Sequence, residues 1–70
     1  MITLRALHPT SRVYEGGIAQ PGETYSEYDI HGVSAIRDGR AAPVRQRDYE
    51  RCLRRVAAAG ITLEPDLGAK

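Results

Sequence analysis

The stretch from Pro21 to Val44, PGETYSEYDIHGVSAIRDGRAAPV, constrains the fold more than any other part of the chain. Strong turn formers bracket each short apolar run in it. Pro21-Gly22 predicts a type II turn, with proline presetting φ at one corner and glycine accepting the positive φ of the next. Thr24 and Tyr25 favour a strand. Ser26 and Asp29 have the spacing of a capping box with aspartate in place of glutamate. Glu27 and Asp29 also suit the positive end of a helix. Ile30, Val33 and Ile36 then recur at steps of three along one side of that helix. Asp38-Gly39 stops it, because glycine accepts the left-handed conformation just past a helix end. A helix is therefore predicted over about residues 27–38. Ala41 to Val44 follows as a sheet edge or connector, since Pro43 has no amide to donate. Gly32 breaks the pattern: it costs about 1 kcal/mol against alanine in a helix interior, and a close approach of other atoms to the backbone would explain it.

The flanks are read from this unit outward. Ile2 to Leu7 alternates at its start and predicts a strand with Ile2, Leu4 and Leu7 inward. His8 to Ser11 reads as a loop, Arg12-Val13-Tyr14 as a second short strand, and Glu15-Gly16-Gly17 as a turn. Residues 1–25 together predict a small antiparallel meander. After Val44, Arg47 to Ala59 is the clearest periodic segment. At about 100° per residue, Tyr49, Cys52, Leu53, Val56, Ala57 and Ala59 fall in one half of the wheel. Arg47, Arg51, Arg54 and Arg55 gather opposite them. Glu50 with Arg54 and Asp48 with Arg51 are spaced for ion pairs along the helix. A second helix is predicted over about residues 46–59, packed by Tyr49, Leu53 and Val56 and stopped at Gly60. Ile61 to Glu64 has strand character, and residues 65–70 read as a flexible tail. The prediction is a single α+β domain over residues 1–64: a small antiparallel sheet with two helices.

Seventy residues with one cysteine, no phenylalanine and no tryptophan allow only a thin core of Ile, Leu, Val and Ala with tyrosine rings at its margin. A chain this short buries only about 60% of its unfolded surface, and Cys52 has no partner for a disulfide. Contacts with further copies of the chain or with other proteins are therefore expected to supplement the fold. No apolar run approaches the ~20 residues of a membrane span, and no signal-peptide pattern is present. Charge is uneven: residues 1–36 carry −2, residues 37–55 carry +4 with seven arginines, and residues 56–70 carry −1.

No motif for chemistry stands out. His8 and His31 are the only histidines, and Cys52 is far from both in sequence, which is not the ligand spacing of a structural metal site. Cys52 lies on the apolar side of the last helix, the setting of an inert thiol. Gly16-Gly17 and Gly22 lack the lysine and helix of a phosphate loop. Glu23, Glu27 and Asp29 are accounted for by the turn and the helix start. An enzyme, a metal and a cofactor are not expected. Arg47, Arg51, Arg54 and Arg55 are the best candidate partner-binding residues, set against the reading of a merely solvated face. Tyr25 and Tyr28 are added as interface anchors, set against packing at the core margin.

The layout resembles small accessory proteins encoded among the head and tail genes of tailed phages and Mu-like prophages. The residues that carry the likeness are Leu4-Arg5-Ala6-Leu7, Gly16-Gly17, Pro21-Gly22-Glu23 with Tyr25, Ser26 to Asp29, and Gly39 to Val44, within residues 2–44. The helix from Arg47 onward extends beyond that pattern. The resemblance implies no enzymatic activity and a role in virion assembly through contacts with other phage proteins, in the host cytoplasm or the virion. An alternative is a small phage-encoded inhibitor of a host defence complex, of the anti-CRISPR type, that blocks a binding surface. A second alternative is nucleic-acid binding by the arginine face. It is disfavoured by Asp48 and Glu50, by an isoelectric point near 7.9 and by the lack of interleaved aromatics.

Overall fold

Ile2, Leu4 and Ala6 point inward and alternate with exposed Met1, Thr3 and Arg5, which makes strand β1 (Ile2–Ala6) the centre of the molecule. The computed structural model describes residues 1–60. Strands β2 (Thr10–Ser11), β3 (Ile18–Ala19) and β4 (Thr24–Glu27) follow β1. Helix α1 (Asp29–Arg37), strand β5 (Ala41–Pro43) and helix α2 (Gln46–Ala58) complete the order. The fold is α+β, with a small antiparallel sheet and two helices. The strands do not succeed one another as a meander. The main sheet has the order β4-β1-β5, and β2-β3 form a separate two-stranded ribbon. The register pairs Leu4 with Tyr25 on one side and with Pro43 on the other. β1 takes the centre because only it offers three successive inward apolar positions, to which both short neighbours can pair.

The turn and stop signals behave as local chemistry requires. Gly22 has φ 91°, and the Glu23 amide donates to the Gln20 carbonyl at 3.0 Å, closing the Pro21-Gly22 turn. At the end of α1 the Gly39 amide donates to Ile36 O at 3.1 Å and the Arg40 amide to Ala35 O at 2.9 Å. With Gly39 at φ 78°, this is the paired closure of a Schellman motif. α2 ends on Ala59 and Gly60, where the Gly60 amide donates to Ala57 O at 3.0 Å.

The core comprises Ile2, Leu4, Ala6, Ala19, Tyr25, Val33, Ala35, Ala41, Cys52 and Val56, with Ile36 and Tyr49 packed against it. Gly32 is buried under β1, and a Cβ there would fall on Ile2 Cγ2. The backbone approach expected from its sequence position is thus present.

Several expectations are corrected. β1 stops at Ala6, and Leu7 is 47% exposed. Its amide still bonds to Arg40 O at 2.8 Å, but its side chain has passed the end of the core. The second short strand is Thr10–Ser11, not Arg12 to Tyr14, which form the loop beyond it. α1 begins at Asp29 with Tyr28 at the cap position and no side-chain cap bond. Ser26 is therefore not a capping residue, and Glu27 belongs to β4. Leu53 is 39% exposed and α2 packs through Tyr49, Cys52 and Val56 instead. The expected strand over residues 61–64 and the tail over 65–70 lie outside the described residues.

Candidate partner-binding surface

Asp29 opens α1 and ties the two helices together. Its carboxylate accepts from Arg55 Nε at 2.7 Å and Nη2 at 3.1 Å, a two-pronged pair across the helices. The Met1 ammonium stands 2.8 Å from the same carboxylate. The hydrogen bond from Arg55, reinforced by the Met1 ammonium and opposed by partial burial, holds the Asp29 carboxyl well below its ordinary range. Beneath it the Cys52 Sγ donates to the Asp29 carbonyl at 3.5 Å. Burial first, then the Asp29 charge, push the Cys52 thiol up to about 11. A thiol held so far towards its neutral form is a poor nucleophile near neutral pH.

Glu27 does a second fixing job, one its sequence position did not announce. It is 2% exposed. Its carboxylate accepts the amides of Val13 at 2.7 Å, Tyr14 at 2.9 Å and Tyr28 at 2.9 Å. One side chain therefore holds the 12–17 loop against the start of α1. The available signal was the period of two from Tyr25 to Glu27, which puts both on the inner face of a strand. The loop is also closed on itself, Arg12 Nε donating to Gly16 O at 2.7 Å.

This clamp sets an aromatic row on the surface. Tyr14 and Tyr28 meet edge to face at 5.2 Å between ring centres and 82° between planes, and His31 lies 6.3 Å beyond Tyr28. Tyr14, Tyr28 and His31 are all exposed. Next to them a groove of about 570 Å³ runs between the start of α1 and the second half of α2. Met1, Ile30, Val56 and Ala59 give it apolar walls, Tyr28 and His31 add rings, and the Asp29–Arg55 pair is its polar part. A second cleft of about 220 Å³, lined by Met1, Ile2, Thr3, Asp48, Arg51 and Arg55, shares Met1 and Arg55 with the first.

The candidate residues separate into two sets. Tyr28 lines the groove, and Arg47, Arg51 and Arg54 are exposed on the outer side of α2 with no ion pair or hydrogen bond among the described residues. The pairs expected from spacing, Glu50–Arg54 and Asp48–Arg51, are not closed. Arg55 is turned aside to Asp29, whose carboxylate it shares with the Met1 ammonium. Tyr25 is 3% exposed and part of the core, where burial raises its pKa. Its hydroxyl has no hydrogen-bond partner among the described residues, and its ring is not offered to the surface.

The sheet edges are protected. Ser26 lies opposite Thr3 in β1, and its amide turns outward to Glu15 Oε2 at 2.8 Å. On the far edge Pro43 has no amide to offer. Both devices discourage a further strand from pairing. Among the described residues no group of three or more His, Cys, Asp or Glu is placed to hold a metal ion, and no helix is long and apolar enough to cross a membrane.

No family model, curated protein or solved structure matches this chain significantly.

Proposed function

We propose that this chain is a non-enzymatic binding protein that serves phage or prophage assembly by contacts with other proteins. The observation that supports this reading is the exposed apolar and aromatic groove, with Arg51 in the adjoining cleft and Arg47 and Arg54 exposed on the same helix, none of the three paired among the described residues, on a chain whose reactive side chains hold the fold together. Asp29 and Arg55 join the helices, Glu27 clamps a loop, and Cys52 is sealed in the core. Among the described residues no cluster of acid, base and nucleophile is left over for catalysis. The assembly role comes from the likeness of residues 2–44 to head- and tail-region accessory proteins. With both sheet edges protected, the contacts would run through side chains of the groove and the outer face of α2.

The test is to tag the full chain in its phage-bearing host, purify particles and assembly intermediates, and measure its size in solution. Retention with a virion protein at fixed stoichiometry is expected. A strict monomer absent from particles and intermediates would overturn the proposal.

A further inference from the structure

Resting on that contact-based reading, we infer that the groove and the arginines of α2 form one docking site for an acidic segment of a partner protein bearing a bulky apolar anchor. The two clefts meet at Met1 and Arg55, and the second is lined by Arg51. The apolar walls at Ile30 and Val56 are thus continuous with the charged face of α2. Arg47, Arg51 and Arg54 stand at i, i+4 and i+7. A rise of about 1.5 Å per residue puts the outer two about 10 Å apart along the axis. That span is about three residues of an extended chain. Guanidinium groups there can take carboxylates in two-pronged bonds, while a neighbouring leucine, isoleucine or aromatic side chain enters the groove.

Charge selects the occupant. Of the four arginines on α2 within residues 47–55, only Arg55 is paired among the described residues, so the ladder repels a basic segment and gives a neutral one no ionic partner. A nucleic acid fits the same surface less well. Asp48 in the second cleft and Glu50 on the outer side of α2 leave a net charge of +1 against Arg47, Arg51 and Arg54, too little for the phosphate neutralisation on which nucleic-acid binding depends, whereas a peptide also gains from its apolar anchor. The groove walls are largely aliphatic, whereas sequence-tolerant binding of single strands relies on exposed ring faces. Tyr49, the one aromatic of α2, packs against the core.

The experiment is a selection with the full chain against random dodecapeptides displayed on yeast, at low ionic strength. The enriched pool should be rich in Asp and Glu with one or two of Leu, Ile, Phe or Trp. A peptide from that pool should bind at least about tenfold more weakly to Ile30→Asp and to the double variant Arg51→Glu, Arg54→Glu. The double variant should also lose most of the salt dependence. Leu7→Ser, exposed elsewhere, should bind as the unaltered chain does, and thermal melts of all variants should show folded protein. No enrichment, a pool without acidic bias, or binding indifferent to both variants would overturn the site. So would a single-stranded oligonucleotide that displaces the selected peptide more effectively than unlabelled peptide does. Repeating the particle purification with the same variants separates the two ideas. A virion protein retained equally by both variants overturns this site and leaves the assembly role standing. Acidic peptides bound at the site, with no virion protein retained by the unaltered chain, leave the site and overturn the assembly role.

Discussion

The two helices differ in how they are held, and the difference runs opposite to how clearly each is written in the sequence. α1 has nine residues and buries Gly32, Val33 and Ala35 against the sheet. Its apolar pattern is weak, because small residues rather than large ones make the contact. α2 has thirteen residues and a strong division into apolar and charged sides, yet buries only Cys52 and Val56 fully. Periodicity measures the contrast between two faces of a helix, not the depth to which one face sinks. A helix embedded through glycine and alanine lies deeper than its hydrophobicity suggests, and one bearing a row of arginines can present a vivid pattern while resting on a narrow stripe.

The sharpest test of this contrast is at the junction where α1 begins. Glu27→Ala removes an acceptor shared by three amides, and hydrogen bonds to a charged group are worth about 1.5–3 kcal/mol each. A loss of at least about 3 kcal/mol in urea denaturation is expected, less than the simple sum where freed amides turn to water, together with loss of the Tyr14–Tyr28 contact by NMR. A loss below about 1 kcal/mol would mean the loop does not depend on this clamp.

Next in size is a substitution that propensity favours and packing forbids. Gly32→Ala improves helix propensity by about 1 kcal/mol, but its Cβ meets Ile2 Cγ2. Overpacking of this kind costs about 1–3 kcal/mol, so net destabilisation is expected in the same assay. An increase in stability would show that α1 is not seated as closely on β1 as described.

The Asp29–Arg55 pair should contribute less. Both side chains reach solvent, at 22% and 48% exposure, and such pairs are worth about 1 kcal/mol or less. Because the folded-state pKa of Asp29 lies below the ordinary 3.8, its contribution is complete above that value and is lost as pH falls through the lower folded-state value. Acid titration of stability should therefore show a loss beginning below about pH 4 in the unaltered chain that is reduced in Arg55→Ala. Identical acid limbs would remove the pair as a link between the helices. Smallest of all, Arg47→Ala and Leu53→Ala on exposed positions of α2 should each change stability by about 0.5 kcal/mol or less. A larger loss at Leu53 would place α2 deeper than its burial pattern shows.

What was legible in the sequence was local. The Pro21-Gly22 turn, the stop at Gly39 and the bounds of α2 each depend on residues within one or two turns of chain, and Gly32 announced a close approach without saying that Ile2 would make it. So does the class of the fold, since two helical segments and several short strands leave few other arrangements. Four of the six candidate residues were legible too: Arg47, Arg51, Arg54 and Tyr28 are exposed as their positions imply.

The rest waited on contacts between distant segments. β1 became the central strand because β4 and β5 paired with it from either side; its alternation marks an inward face but does not say which strands flank it. Tyr25 moved to the core and Glu27 to a buried clamp because β4 runs two residues further than its propensities indicate, turning a presumed helix start into an inward strand face. Arg55, though still exposed, pairs with Asp29, 26 residues away. Sequence spacing determines which side of a helix a residue occupies, but only the packing of one element on another decides which sides meet. Charge pairing and burial both depend on that meeting.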